Sequence, residues 1–209
     1  MDLIVSILLI LGSLLAGAVS PGPSFLLVAK TAMGHSRQNG VAAAMGMGAG
    51  SVLFSALALM GLSVVFTRIP VLYFSLKITG GAYLICLAYQ IWTGAGKGVV
   101  LSGKHTRRPP TPAGSFFTGL GTQLSNPKTA LVYAGIFAAL LPAKPPPLIY
   151  FILPPLIFTV EAGWYTFVAL MLSSAMPRAA YLSGKSLFDR IAAAAMAGLG
   201  LKLISDSSV

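Results

Sequence analysis

The sequence predicts an all-α membrane protein: six transmembrane helices arranged as two inverted three-helix repeats, with the first and fourth helices broken by proline motifs. Three observations carry that prediction. The 209-residue chain is 56% hydrophobic and only 9% charged, with a mean hydropathy of +0.85, which excludes an ordinary soluble domain. Six apolar stretches reach the ~20 residues a helix needs to cross a bilayer. Two of them carry a proline turn near mid-length, Ser20-Pro21-Gly22-Pro23-Ser24 and Ser125-Asn126-Pro127-Lys128-Thr129.

The first span, 2–29, opens on Met1-Asp2 with no basic run, so Ala16-Gly17-Ala18 reads as membrane helix and not as a signal cleavage site. In the second, 40–66, Ala42, Gly46 and Gly50 recur every four residues with Gly48 among them, a face for close helix approach without chemistry of its own. The third, 71–93, places Lys77 and Gln90 towards its ends, where long side chains reach headgroups. It also holds the single Cys86, which rules out an internal disulfide. Residues 95–112 form a cytoplasmic basic linker with Lys97, Lys104, Arg107 and Arg108. The fourth span is 113–141. The fifth, 148–172, follows Pro145-Pro146-Pro147 and contains Pro154-Pro155, which are expected to kink it ahead of Glu161. The sixth is 186–204. Tyr73, Trp92 and Tyr150 lie near span ends, as interfacial belt residues do.

Charge sets the orientation. The net charge of +10 would suggest nucleic acid in a soluble chain, but here the cations fall between spans and obey the positive-inside rule, so no nucleic-acid partner is expected. Lys30, Arg37, the linker cations, Arg178 and Lys185 fall on one side, with Arg68, Lys144 and Lys202 on the other. Both termini are then extracytoplasmic; a five-span alternative would move one of them. The expected organisation is a first repeat over 1–94, the linker 95–112 and a second repeat over 113–209, forming one transmembrane domain. Three spans is an odd number, so duplicated halves must be inverted. Matching interrupted helices in inverted repeats point to a secondary transporter's binding site.

The breaks carry the chemistry. Proline lacks an amide hydrogen, so Pro21, Pro23 and Pro127 free the carbonyls of Gly17, Val19 and Gln123, which in hydrocarbon need other partners. Ser20-Pro21 and Asn126-Pro127 each read as an N-cap followed by the first helical residue, and the half-helix behind each would offer amides to a carboxylate. Lys128 adds a cation there. Glu161, among Phe158, Trp164 and Tyr165, is read as the only acid deep in a span, and such charges face a cavity or each other. The candidate substrate site is Ser20, Pro21, Gly22, Pro23, Ser24, Gln123, Asn126, Pro127, Lys128, Thr129 and Glu161. It suits a small zwitterionic amino acid: an anion seat at the half-helix amides and Lys128, a cation seat at Glu161 and the freed carbonyls. A carboxyl taken out of water can exchange protons near neutral pH, which makes Glu161 the proton-coupling candidate. A structural Lys128–Glu161 ion pair is the bland alternative.

At these motifs the chain resembles the LysE/RhtB family of amino-acid exporters of the bacterial inner membrane, over nearly its whole length. The resemblance lies in Ser20-Pro21-Gly22-Pro23, in Leu76-Lys77 with Gly80, Tyr83 and Leu84, in Asn126-Pro127-Lys128 followed by Pro142, and in Gly198-Leu199-Gly200-Leu201-Lys202. It implies efflux of amino acids or close derivatives driven by the proton motive force, with no bound cofactor, and it leaves monomer or homodimer open. Two departures bear on substrate identity: Ser24 stands where the family often has Asn or Asp, and alanines fill 192–195 where a glycine is usual. Competing readings are a metal-cation exporter, an intramembrane enzyme and a non-transporting scaffold. Few acids, one Cys and no histidine within a span disfavour the first two, and only a flux assay separates the last.

Overall fold

The computed structural model describes residues 3–20, 22–68, 70–95, 110–142, 145–173 and 175–205. Pro21, Lys144 and the linker cations Lys97, Lys104, Arg107 and Arg108 lie outside the described residues, as do the side chains of Arg68, Tyr73, Arg178 and Lys185. All regular structure among the described residues is helical: α1 (Leu3–Val19), α2 (Pro23–Gly34), α3 (Arg37–Arg68), α4 (Pro70–Gly94), α5 (Pro112–Leu124), α6 (Pro127–Leu140), α7 (Ile149–Leu172) and α8 (Ala175–Ser205). Two short helices followed by two long ones occur twice in succession.

Proline writes much of this punctuation. Helices α2, α4, α5 and α6 each begin on a proline, whose missing amide is no loss in a first turn. Thr111 caps α5 by accepting from the amide of Gly114 at 3.1 Å. Prolines also separate α1 from α2, which meet at 60°, and α5 from α6. By contrast, α7 runs through Pro154 and Pro155 as one helix. The last helix starts eleven residues before its expected span, at Ala175 rather than Ser186. Pro177 sits in its first turn, where proline is tolerated, and the polar residues Arg178, Ser183 and Lys185 kept the hydropathy low without stopping the helix.

By length and composition Arg37–Gly61 and Ile149–Leu172 can each cross a bilayer, and the bent pair α1–α2 makes a third such unit. Helices α4 and α8, at 25 and 31 residues, have the length. The exterior is apolar: Val71 is 77% and Phe151 78% exposed, with Ile4, Leu8, Leu187 and Leu201 also facing out. Such a surface is unfavourable in water and natural in lipid.

Helix α3 packs most extensively on α5 and α7, and α4 on α8. Two buried clusters result. One gathers Leu14, Leu84, Val132, Tyr133, Phe137, Ile157 and Met196, and the other Phe25, Val28, Ala43, Met47, Tyr165 and Val168. The glycine face of α3 works as expected at Gly46 and Gly50, which press on α5. A Cβ on Gly46 would run into the Phe116 carbonyl, and one on Gly50 would lie 2.8 Å from Gln123 Cβ. Gly48 faces the other way, and its Cβ would sit 2.7 Å from that of Ala162 on α7. Close backbone approach replaces the hydrophobic drive that lipid does not supply.

Gly46→Leu should therefore lower stability by about 1–3 kcal/mol or more, read as a fall in Tm in detergent micelles. Gly163→Ala, where a Cβ meets nothing within 4 Å, should be neutral or stabilising by up to about 1 kcal/mol.

Candidate functional site

The two breaks meet in the interior. At the first, α1 stops at Val19 and α2 begins at Pro23. The N-cap is Gly22, extended at φ −137° and ψ −171°, with no side chain capping it; the expected cap at Ser20 is thereby corrected. The cause is Pro23, whose ring drives the preceding residue out of the helical region, so a helix cannot begin at Pro21 and continue through Gly22. At the second break the expectation holds. Asn126 is the N-cap, its Oδ1 accepting from the amide of Lys128 at 3.0 Å, and Pro127 is the first helical residue.

The carbonyls at the end of α1 are satisfied from elsewhere. Lys128 Nζ, from the first turn of α6, donates to Gly17 O at 3.2 Å and Ser20 O at 3.1 Å. Trp164 Nε1, from α7, donates to Ala18 O at 3.2 Å. A cation at a helix C-terminus also meets the negative end of the dipole. The carbonyl of Gln123 is taken locally by the amide of Asn126 at 3.2 Å.

Beside this junction lies a buried hydrogen-bond chain. Asn126 Nδ2 donates to Ser24 Oγ at 3.0 Å, and Ser24 Oγ donates to Gln123 Oε1 at 2.7 Å. Gln123 Nε2 then donates to Ser51 Oγ at 2.8 Å, which donates to Met47 O at 3.1 Å. Helices α2, α3, α5 and the cap of α6 are thus joined through side chains at most 4% exposed. Each member's polar atoms are taken up by another member or by nearby backbone, the condition under which a buried polar network is favourable.

A cavity of about 20 Å³ sits against these groups, room for one water molecule. Of the residues expected to form the site, Ser20, Gly22, Ser24, Gln123, Asn126, Lys128, Thr129 and Glu161 line it. Pro23 and Pro127 do not; they set the half-helices behind it, and Pro21 is outside the described residues. Glu161 is 3% exposed, and its Oε2 has no hydrogen-bond partner. The hydrogen bonds of Lys128 Nζ go to backbone carbonyls and not to Glu161.

Four residues here stand outside the site expected from sequence. Tyr133 and Tyr165 line the cavity, and both were findable by helical spacing, four residues after Thr129 and after Glu161 respectively. Ser51 extends the polar chain. Asp189 is 1% exposed, so Glu161 is not the only deep acid. Asp189 lies on the buried stripe of α8 with Ala192, Ala193 and Met196. Its place close to the expected start of the sixth span disguised it.

Replacing Ser24 with Ala leaves Gln123 Oε1 and Asn126 Nδ2 buried without their partner, which should cost about 1–3 kcal/mol. Thermal unfolding in micelles should show that loss, with Ser125→Ala, an exposed hydroxyl bonded to its own helix, within about 0.5 kcal/mol of the parent.

Comparison with known proteins follows the same lines. The chain is 29% identical to the threonine efflux protein of Escherichia coli (strain K12), over 89% of this chain and 91% of that protein. It is 28% identical to the uncharacterized membrane protein YahN of the same organism, over 98% and 91%. It is also 28% identical to the leucine efflux protein of Salmonella choleraesuis (strain SC-B67), over 60% and 58%. No solved structure matches it. The sequence profile described as LysE type translocator matches residues 15–207, and the chain is an integral membrane protein that belongs to the LysE family.

Proposed function

We propose that the protein is a secondary transporter that exports amino acids or close derivatives from the cytoplasm by proton antiport. The observation that carries this reading is the meeting of two chain breaks at one buried cavity that holds an ammonium and a carboxylate oxygen without a partner. Such an oxygen is costly in a folded protein and profitable only where a ligand or proton takes it up. Membership of the LysE family, and relatives named for threonine and leucine efflux, support the amino-acid class.

In this reading the pairs α1–α2 and α5–α6 are the broken first and fourth of six spans, in inverted repeats over 1–94 and 113–209. Both termini are extracytoplasmic in the inner membrane. The repeated order of two short and two long helices supports the duplication. Substrate carboxylate binds at the first turn of α2, whose N-cap brings no side chain, beside Lys128; a Cβ on Gly22 would lie 3.4 Å from Lys128 Nζ, so the missing side chain keeps that approach open. The substrate ammonium binds Glu161. Ser20, Ser24, Gln123, Asn126 and Thr129 complete the polar wall, with Pro21, Pro23 and Pro127 shaping it.

Antiport follows from a shared carboxylate. Glu161 holds either the substrate ammonium or a proton, so a cycle that carries substrate outward returns with a proton bound. A cavity the size of one water cannot hold an amino acid, so loading requires the two breaks to draw apart. The Ser24–Gln123 and Ser24–Asn126 bonds are the contacts that must yield.

In proteoliposomes, Glu161→Gln and Lys128→Ala should each reduce pH-gradient-driven amino-acid flux by about tenfold or more, equivalent to ~1.4 kcal/mol of lost binding or barrier lowering. Asn126→Ala should reduce it less. Counterflow with a panel of labelled amino acids identifies the cargo. Parental flux in all three variants would remove the site assignment.

A further inference from the structure

Tyr133 borders two separate spaces. One is the cavity of about 20 Å³ with Glu161 and Lys128. The other is a groove of about 330 Å³ between α3, α4 and α6, lined by Phe54, Ala58, Gly61, Leu76 and Ala134. The Tyr133 ring is 2% exposed, stacked on Phe137 at 5.9 Å and tilted against Phe54 at 5.7 Å. Its hydroxyl lies beside Ser51 and Glu161. Gly61 is 24 residues beyond Arg37 on α3, about 36 Å along the helix axis, so the groove opens in the half of the bundle remote from the Arg37 end.

We infer that Tyr133 is the partition between the substrate chamber and an exit groove, and that substrate leaves when this ring swings off Phe54 and Phe137. The inference rests on the transporter reading above. Three features fit a moving partition. Aromatic pairs contribute about 0.5–1.5 kcal/mol each beyond the area they bury, enough to hold a ring closed and little enough to release it. Tyr133 stands two helical turns after Asn126 on α6, so a displacement of the second break carries the ring with it. The buried phenol also supplies the differential affinity that a ligand needs in order to shift a conformational equilibrium: a substrate ammonium at Glu161 or a substrate polar group can bond Tyr133 Oη in one ring position and not the other. Beyond the ring the groove is apolar and offers a zwitterion no seat, which favours departure over retention.

Thiol labelling tests this without relying on flux. In a Cys86→Ser background, Val132→Cys places a reporter on the chamber wall, and a charged, membrane-impermeant maleimide is added to the face remote from Arg37. With Tyr133 or Tyr133→Phe the reporter should stay protected. Tyr133→Ala should label about tenfold faster, corresponding to ~1.4 kcal/mol in the closed-to-open equilibrium. Phe54→Ala removes the tilted ring partner and leaves the chamber intact; it should accelerate labelling in the same direction if Tyr133→Ala fails to fold. No acceleration in a folded Tyr133→Ala or Phe54→Ala protein overturns the partition. Acceleration only with a lipid-soluble maleimide overturns the exit route, because the groove then joins the chamber to lipid. Labelling that follows this pattern, in a protein whose parent carries no amino acid in proteoliposomes, sinks the transporter reading and leaves the partition standing.

Discussion

The contact on which the rest depends is the reach of Lys128 Nζ to the carbonyls of Gly17 and Ser20. A helix that stops inside hydrocarbon exposes carbonyls with no water to take them, and each left alone costs several kcal/mol. A cation from the start of another half-helix meets that need and brings the two interruptions together. The first break is thereby repaired by the second: the proline that starts α6 puts Lys128 in its first turn, and that lysine completes the end of α1.

Close helix approach makes the repair possible. Gly46 and Gly50 let α3 lie against α5 so tightly that Gln123 sits over Gly50, within reach of Ser51 on the same helix. The small residues and the polar chain are therefore one arrangement, the first setting the separation at which the second can form. The glycines carry no chemistry of their own, yet their contacts position Gln123.

Much of this could be read from residues before any coordinates. Apolar length located most of the helices, because the bilayer imposes it, and Pro21, Pro23 and Pro127 located the breaks, because proline removes a specific hydrogen bond. What escaped has physical causes too. The cap at Ser20 failed because two prolines compete and the later one dictates the backbone before it. The early start of α8 was hidden by polar residues that a helix accepts and a hydropathy average does not. Asp189, Tyr133 and Ser51 depend on which face each helix turns inward, and helices whose outer surface is lipid do not announce that face by a simple polar-to-apolar contrast.

The bond from Trp164 to Ala18 O has an optical consequence. The chain has two tryptophans. Trp92 is 56% exposed on the periphery with the Arg190 guanidinium 5.6 Å from its ring, so its emission is set by the outer environment. Trp164 is hydrogen-bonded to the very backbone that is interrupted, which makes its indole a native fluorophore whose spectrum follows the wetting of the bundle's centre.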